Sequence, residues 1–432
     1  MNLSDHLAAS LTSDLLALIR LVKADAENLH YPLYIIGGSV RDLLLDSTIK
    51  DFDLTVEGDA IILARALAKK HGGKVTAHAK FGTAKWFLPK NLASESAETL
   101  DLISARSETY KNPAALPTVK TGSMDDDIRR RDFTINTLAI RLDDPYFGEL
   151  RDDLNGMDDL KKGIIRVLHD NSFIDDPTRM YRAVRYAERY GFKIADEILA
   201  LIPEARPLIE KLSAQRIRHE LDLIFEEWSA ATMLAQLNEL DLLKPIHPAL
   251  SFDRSAHARL ADLHTFRGLQ HLSPWNVTKG EQMNASDLGW LLWLMPLSND
   301  KIASLNERLQ FTADLLASLF AVSMMFTDQS SYIGLKPSEC VERLESFPVN
   351  AVEAIGYVAE DARVKERFDE YISKWRYIKP HTTGNDLKKR GIEPGPRYAV
   401  ILRQLRNAWL DGEVGTEEEE GVLLSQLLNA RQ

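Results

Sequence analysis

The sequence has few of the features that mark secreted, disulfide-rich or membrane proteins. Its 432 residues include one cysteine, Cys340, which excludes an internal disulfide framework and a cysteine-based structural zinc site. No apolar run approaches the about 20 residues that a membrane-spanning helix needs. Residues 1–5 lack the basic start and the apolar core of a secretory signal. With 45% hydrophobic and 27% charged residues, the composition is that of a folded protein, and we expect a cytoplasmic, non-membrane chain of several structural units.

Basic residues are also in the minority, since 53 Lys or Arg stand against 64 Asp or Glu and the formal net charge is −11. A negative protein is ordinarily a poor partner for nucleic acid. The net charge of the whole chain hides a basic stretch at residues 363–406, which contains twelve Lys or Arg and five Asp or Glu. Aromatic residues are interleaved there: Phe368, Tyr371, Trp375 and Tyr377. This stretch is either a nucleic-acid-binding surface or a set of solvated helix faces.

The first 150 residues or so differ from the remainder. They contain five short β-type runs, at 33–36, 52–56, 74–77, 85–88 and 100–103. One helical segment, 60–71, is closed by Gly72 and Gly73. After residue 167 the pattern is helical and is punctuated by prolines. The layout predicts an α+β protein with a small N-terminal mixed sheet and an extended all-helical region behind it.

A strand that ends in two glycines before a helix is the first candidate site. Glycine at positions 37 and 38 lets backbone N–H groups approach an anion, and the helix N-terminus adds partial positive charge. Arg41, in the first helical turn, would add a charge-assisted contact to phosphate. The pattern is neither a Walker A loop nor a GxGxxG fingerprint. A plain strand–helix turn is the alternative.

Two aspartates follow this turn. Because residues i and i+2 of a strand point to the same face, Asp51 and Asp53 would lie about 6–7 Å apart by Cα. Like charges this close repel unless a cation lies between them, and hard oxygen ligands suit Mg²⁺. Asp101, in another β-type run, is a candidate third carboxylate from a neighbouring strand. The alternative is a pair of surface aspartates on a solvated edge.

Three consecutive arginines, 129–131, enter an apolar stretch. They would be a costly way to build a core, but Arg forks match the oxygens of a triphosphate and stay charged. Asp132 would orient one of the arginines, and Asn136 lies one helical turn further on. The segment therefore predicts a triphosphate cradle.

An arginine-rich helix is predicted near 175–187, with Asp175 as its cap and Pro177 at an early position. One stripe has the i, i+3, i+4, i+7 spacing of a buried face: Met180, Ala183, Val184 and Ala187. Arginines trail around the side away from it: Arg179, Arg182 and Arg185. Asp176 and Arg179 stand one turn apart, and an acceptor beside a forked donor can read the edge of a nucleobase. A salt-bridged exposed helix is the alternative.

Together these segments resemble the class II tRNA nucleotidyltransferase/poly(A) polymerase family of the polymerase-β-like superfamily, most of all a bacterial CCA-adding enzyme. The matching residues, in order over about 33–225, are Gly37-Gly38-x-Val40-Arg41-Asp42, Asp51-x-Asp53, Arg130-Arg131-Asp132-Phe133-x-Ile135-Asn136, Asp152-x-x-x-Gly156-x-x-Asp159-Leu160, Asp176-Pro177-x-Arg179-x-x-Arg182-Ala183-x-Arg185 and Arg216-Ile217-x-x-Glu220-Leu221. The resemblance implies a catalytic head (1–148), a helical neck with a nucleobase-reading helix (149–225), a helical body (226–360) and a helical, tRNA-binding tail (361–432).

The same resemblance implies roles for single residues. Asp51 and Asp53 would hold two catalytic Mg²⁺ ions, with Asp101 as the candidate third carboxylate. Asp176 and Arg179 would pair with the base of CTP or ATP, so that side chains rather than a nucleic-acid strand select the nucleotide. The other nucleotide-binding residues would be Gly38, Arg41, Arg131, Asp132, Asn136, Arg182 and Arg185.

The implied reaction is the addition of C, C and A to the 3′ end of tRNA from CTP and ATP, with release of pyrophosphate. The segment 105–128, with Arg106 and Glu108, resembles the family's flexible loop, which disfavours a CC-only enzyme. The sequence shows no long basic C-terminal extension of the kind found in bacterial poly(A) polymerases, which favours tRNA as the expected substrate. The candidate tRNA contacts are Lys388, Lys389 and Arg390. The alternatives are an A-adding enzyme, a poly(A) polymerase of the same fold and a non-catalytic RNA-binding protein. The sequence predicts no particular oligomeric state.

Overall fold

The computed structural model describes residues 1–47, 52–94, 97–264 and 283–429. The chain forms two compact units, Met1–Ser213 and Ala214–Gln432. A mixed β-sheet lies in the first unit, whereas the second unit is helical over its described residues, so the predicted α+β class is confirmed. The division into head, neck, body and tail stays a prediction. Within the described ranges, no helix combines the length and the apolar character that crossing a membrane requires.

The strands of the first unit are β1 (Leu33–Ile36), β2 (Asp53–Val56), β3 (Lys74–His78), β4 (Thr83–Phe87), β5 (Thr99–Ser104), β6 (Arg106–Thr109), β7 (Thr118–Thr121), β8 (Ala139–Arg141), β9 (Leu150–Arg151), β10 (Ile164–Ile165) and β11 (Lys193–Ile194). Seven of them form one sheet in the order β3-β4-β5-β2-β1-β8-β9. Over the described residues of this sheet, β2 and β5 pair in parallel and the other neighbouring strands pair antiparallel. Each of the five β-type runs predicted from the sequence lies on a strand of this sheet.

Strand register places three charged residues in a row across the sheet. Asp53 on β2 lies opposite Asp101 on β5, and Asp101 lies opposite Lys85 on β4. Along β5 the alternate residues Leu100, Leu102 and Ser104 are buried, so Asp101 belongs to the less buried face. Because residues directly opposite in neighbouring strands point to the same side, the three charged side chains share that face.

The helices of the first unit are α1 (Ser4–Ser10), α2 (Ser13–Asn28), α3 (Gly38–Leu44), α4 (Ala60–His71), α5 (Met124–Arg129), α6 (Gly156–Lys162), α7 (Ser172–Asp175), α8 (Thr178–Tyr190), α9 (Asp196–Leu199) and α10 (Ile202–Ala205). Short 3₁₀ turns occur at Ala79–Phe81, Thr134–Asn136 and Arg206–Lys211. The predicted helix at 60–71 is confirmed: Asp59 caps its start, and Gly72 ends it with φ of +89°. α1 and α2 were not predicted.

The described helices of the second unit are Ala214–Phe225, Ala230–Glu239, Arg254–Leu260, Ala285–Leu294, Asn299–Leu309, Ala313–Thr327, Pro337–Leu344, Val349–Val358, Ala362–Ser373, Gly384–Lys389, Pro396–Leu410 and Glu417–Asn429, with 3₁₀ turns at Gln329–Tyr332 and Trp375–Tyr377. The basic stretch 363–406 lies on three of these helices and the turns between them. Of its interleaved aromatic residues, Phe368, Tyr371 and Trp375 are buried and Tyr377 is exposed. Most of that aromatic pattern therefore reflects core packing.

Candidate active site

The glycine turn between β1 and α3 is built around an arginine. Gly37 has φ of +80°, and a Cβ at this position would lie 2.2 Å from Nη1 of Arg131. A side chain is therefore disfavoured there twice, by the backbone conformation and by lack of space. Gly38 opens α3, and a Cβ on it would lie 3.4 Å from Nη2 of Arg41. Two guanidinium groups thus lie against the turn.

Arg41 is buried, with 4% of its surface exposed. Its Nε and Nη2 donate to Oδ1 of Asp42 at 2.9 and 2.8 Å, and its Nη1 donates to Oδ1 of Asn136 at 2.6 Å. These bonds use three of the five guanidinium N–H bonds. A buried arginine with donors to spare, beside a helix start, is suited to bind an anion.

Asp132 links the arginine segment to α8. Its Oδ1 accepts from Nδ2 of Asn136 at 2.9 Å, and its Oδ2 accepts from Nε and Nη2 of Arg182 at 2.8 and 2.6 Å. Burial alone would raise the pKa of this carboxyl, but Arg182 and the hydrogen bonds lower it to about 2. The carboxylate is therefore charged at neutral pH, and it orients Asn136 and Arg182 together.

A fully buried aspartate that the sequence argument missed, Asp127, holds the arginines next to it. Its Oδ1 accepts from Nε and Nη2 of Arg130 at 2.9 and 2.7 Å, and its Oδ2 accepts from Nη2 of Arg131 at 2.9 Å. Burial would raise the pKa of Asp127, but the charges of Arg131 and Arg130 hold it below its ordinary value. Nε of Arg131 is buried without a hydrogen-bond partner among the described residues. Such a buried donor is costly, which favours a ligand oxygen beside it.

The start of α8 differs from the prediction in one detail. Asp176, not Asp175, caps the helix: its Oδ1 accepts from N and Oγ1 of Thr178 at 2.9 and 2.6 Å. Arg179 donates through Nη1 to Oγ of Ser172 and through Nη2 to the carbonyl oxygen of Arg130 at 3.0 Å. The backbone of the arginine segment thereby holds Arg179 in place.

The apolar stripe of α8 is buried as predicted, but the arginines are not on a solvated side. Arg179 and Arg185 are 5% and 4% exposed. The guanidinium carbons of four arginines lie 5.2–5.9 Å from the ring centre of Tyr186: Arg41, Arg182, Arg185 and Arg189. The exposed-helix alternative is therefore wrong for α8: Arg179 and Arg185 are buried, Arg182 is partly buried and only Arg189, in the last turn, is exposed.

The segment 105–128 forms the antiparallel hairpin β6–β7 and most of α5. Glu108 accepts from Nη2 of Arg106 at 2.9 Å, from Nη1 of Arg130 at 3.4 Å and from the hydroxyl of Tyr110 at 3.4 Å. Burial raises the pKa of Tyr110 to about 12; the charge of Arg179 lowers this pKa, and the charges of Glu108 and Asp176 raise it further. Tyr110 therefore stays protonated near the predicted base-reading pair, and nothing in its local sequence pattern pointed to it.

The candidate metal ligands are placed only in part, since Asp51 lies outside the described residues. Asp53, Asp101 and Lys85 line a cavity of about 1090 Å³, and Nζ of Lys85 lies 2.9 Å from Oδ2 of Asp101. Two carboxylates side by side are a donor set that fits Mg²⁺, and Lys85 supplies a positive charge to one of them. Within the residues that the structure describes, no cluster of three or more His, Cys, Asp or Glu side chains could hold a metal ion.

The candidate tRNA contacts lie in the second unit. Lys388 and Lys389 end the helix Gly384–Lys389, Arg390 follows it, and all three are exposed. Nζ of Lys389 lies 3.5 Å from Oδ1 of Asp386. These side chains are accessible to a polyanion, and their role stays a prediction.

Comparison with known proteins identifies the family of the chain. Residues 33–166 match the poly(A) polymerase head domain, and residues 191–253 match the probable RNA- and SrmB-binding site of polymerase A. The chain is 30% identical to the A-adding tRNA nucleotidyltransferase of Halalkalibacterium halodurans over 100% of this chain and 97% of the relative. It is 33% identical to that of Geobacter sulfurreducens over 94% of this chain, but spans about half (46%) of that relative's length.

The solved apo form II of a CCA-adding enzyme shares the fold, with a TM-score of 0.82 and 28% identity over 98% of this chain and 99% of that enzyme. The fold and the arginine-lined site thus define a nucleotidyltransferase. The chain belongs to the tRNA nucleotidyltransferase/poly(A) polymerase family. The predicted family is confirmed.

Proposed function

We propose that the protein adds nucleotides, without a nucleic-acid template, to the 3′ end of tRNA. The observation that carries this proposal is the placement of Arg41 and Arg131 against the Gly37–Gly38 turn. Arg182 is linked to Arg41 through Asp132 and Asn136, and Nε of Arg131 is buried without a partner among the described residues. This arrangement offers positive charge and N–H donors to a triphosphate. The carboxylates of Asp53 and Asp101 lie on the sheet of the same unit.

In the proposed reaction the 3′-hydroxyl of the RNA attacks the α-phosphate of the nucleoside triphosphate, and pyrophosphate leaves. Asp51 and Asp53, with Asp101 as a third candidate, would hold Mg²⁺. The positive charge of the bound ion would stabilise negative charge on the reacting oxygens. Arg41, Arg131 and Arg185 offset the charge of the triphosphate, while Asp132 and Asp127 keep the arginines in place. Catalysis is then mostly positioning and charge neutralisation.

The base would be selected by hydrogen-bond satisfaction at Asp176 and Arg179. C and A each expose an exocyclic amine beside a ring acceptor, so the carboxylate accepts and the guanidinium donates. U and G present other patterns and would leave buried polar groups unpaired, at about 1–3 kcal/mol each. The support for this assignment is the fixed position of Arg179 against the arginine segment.

The first candidate product is CCA, added from CTP and ATP. An ordered β6–β7 hairpin joined through Glu108 to Arg130 supports it, because this is the segment that resembles the loop used in the switch from C to A. The second candidate product is a single A on tRNA that ends in CC. The A-adding activity named for the two relatives favours it.

Product length separates the candidates. Transcripts of one tRNA that end before CCA, after C and after CC are incubated with Mg²⁺ and with CTP, ATP or both, and products are resolved on a sequencing gel. Three additions to the shortest transcript identify CCA addition, and extension of only the CC transcript identifies A addition. Open-ended tailing identifies a poly(A) polymerase, and no extension of any transcript overturns the proposed function.

A further inference from the structure

Arg41 lies against two aromatic rings and is also held by hydrogen bonds. Its guanidinium carbon lies 4.6 Å from the ring centre of Tyr190 and 5.2 Å from that of Tyr186. The two rings stack on each other with centres 6.1 Å apart and an interplanar angle of 28°. They are one helical turn apart on α8, so the helix backbone sets their spacing. A guanidinium over a desolvated aromatic face is stabilised by the ring's negative face.

Tyr190 has a second link to the same arginine, through Asp42. Its hydroxyl donates to Oδ1 of Asp42 at 3.1 Å, and the same oxygen accepts from Nε and Nη2 of Arg41. Burial raises the pKa of Tyr190 to about 12, so the hydroxyl remains a donor at neutral pH. One side chain therefore contacts both members of the Arg41–Asp42 pair, through its ring and through its hydroxyl.

We propose that Tyr190 is a positioning residue for nucleotide binding, which holds Arg41 and Asp42 so that the guanidinium stays against the Gly37–Gly38 turn. The ligand is the triphosphate of the incoming nucleotide, so the inference rests on the proposed function. Tyr190 does not itself contact the nucleotide in this account. It acts through Arg41.

The electrostatics of the site explain why such a residue is needed. Four guanidinium groups lie within 6 Å of the Tyr186 ring centre. Asp42 and Asp132 pair with two of them, Arg41 and Arg182, and the remaining repulsion between like charges makes the position of each guanidinium depend on its partners. Without the Tyr190 ring, and without the Tyr190 hydroxyl that holds Asp42, the Arg41–Asp42 pair would be free to shift away from its like-charged neighbours. Binding a triphosphate would then include the cost of bringing the side chain back.

The test compares Tyr190→Leu, which removes ring and hydroxyl, with Tyr190→Phe, which removes only the hydroxyl. We expect the leucine variant to raise the KM for ATP about tenfold and to leave kcat within about twofold, since a contact made equally in ground and transition states is lost. The phenylalanine variant should raise KM only about twofold to threefold. ATP titration calorimetry without tRNA and without Mg²⁺ should show the same order of Kd values.

Tyr146→Leu is the matched control. The guanidinium carbon of Arg141 lies 4.0 Å from the ring centre of Tyr146, and Arg141 pairs with Asp143. The same chemical change is thus made beside another Arg–Asp pair of the first unit, at a more exposed tyrosine. Its KM and Kd for ATP should equal those of the wild type. Thermal unfolding of each variant shows whether it is folded. If Tyr190→Leu does not fold, the KM and Kd of Tyr190→Phe for ATP are compared with those of the wild type instead.

A double-mutant cycle with Arg41→Ala distinguishes positioning from direct contact. If Tyr190 acts through Arg41, then Tyr190→Leu adds no further loss of ATP affinity in the Arg41→Ala background. Additive losses, an unchanged KM in the leucine variant, or a fall in kcat at constant KM would each overturn the inference. Such results in an enzyme that extends tRNA leave the proposed function intact, whereas a wild type that neither extends tRNA nor binds ATP refutes the proposed function itself.

Discussion

Arg182 forms an ion pair with Asp132 by donating through both Nε and Nη2 to Oδ2, although fifty positions separate the two residues in the chain. The pair joins α8 to the segment that follows α5, and Asn136 and Arg41 extend the connection to the glycine turn. Four of the side chains predicted to bind a nucleotide, Arg41, Asp132, Asn136 and Arg182, therefore form one hydrogen-bonded assembly within the first unit. Removing one of these side chains is therefore expected to disturb the positions of the others.

Replacing Asp132 with asparagine should destabilise the first unit. Loss of the carboxylate breaks the ion pair with the partly buried Arg182, and breaking such a pair when it is buried typically costs about 3–5 kcal/mol. The measurement is the midpoint of unfolding in urea. Asp158→Asn is the control, because the Asp158–Lys162 pair is exposed and contributes about 0–1 kcal/mol. Equal midpoints for the two variants would contradict the role given to Asp132.

Acid should remove part of the stabilisation that the Asp132 carboxylate provides. The pKa of Asp132 lies at about 2 in the folded protein, below its ordinary value of 3.8. Its contribution is therefore fully present above pH 4 or so and is lost as the pH falls towards 2, by about 2 kcal/mol. The difference in unfolding free energy between wild type and Asp132→Asn should narrow between pH 5 and pH 2. A constant difference over that range would show that the carboxyl is not paired in solution.

The aspartates on the sheet should govern metal binding as well as activity. Asp53→Asn should lower nucleotide addition by at least about a hundredfold, and Asp101→Asn should lower it less, because Asp101 already interacts with Lys85. Binding of Mn²⁺ with ATP, followed by electron paramagnetic resonance, should weaken in the same order. Asp158→Asn serves again as a carboxylate control, with wild-type Mn²⁺ binding expected.

Asp176 should be tested with asparagine before alanine. Its carboxylate caps α8 by accepting from Thr178, so alanine would also cost about 1 kcal/mol of helix stability, whereas asparagine keeps an acceptor. Both variants should loosen discrimination against UTP more than they weaken metal binding. The measurement is kcat/KM for each of the four nucleotides on one tRNA. A uniform loss over all four would assign Asp176 to the fold rather than to base selection.

The exposed cations of the second unit should act on tRNA and not on the nucleotide. Reversing the charges of Lys388, Lys389 and Arg390 together should raise the KM for tRNA and lower its salt dependence, because fewer counterions are released. The KM for ATP and CTP is the internal control and should not change. An unchanged salt slope would remove this surface from the tRNA-binding site.

Local patterns predicted most of the elements that position the site. The five β-type runs and the helix at 60–71 follow from alternation and from caps that are close in sequence. The helices α1 and α2 were missed, and so were the strands that pair through long connections, such as β8 with β1. Strand pairing of this kind depends on contacts that no local window contains.

Residue types in the site were easier to predict than their partners. Asp127 looks like a solvated carboxylate in the first turn of an acidic helix, which is where the helix dipole favours acids. Only the fold shows that it is buried beneath Arg130 and Arg131. Spacing likewise suggested an Asp176–Arg179 unit, whereas the bonds of Arg179 run to Ser172 and to the backbone of Arg130.

The parallel pairing of β2 with β5 also sets which changes in chain length the site tolerates. The chain travels from Val56 to Thr99 through α4, β3 and β4, so residues added to the turns of this excursion leave Asp53 facing the same way as Asp101. One residue added inside either strand would rotate every later side chain of that strand to the opposite side. Insertions between the strands therefore preserve the relative orientation of Asp53 and Asp101, whereas insertions within the strands change which side chains face the site.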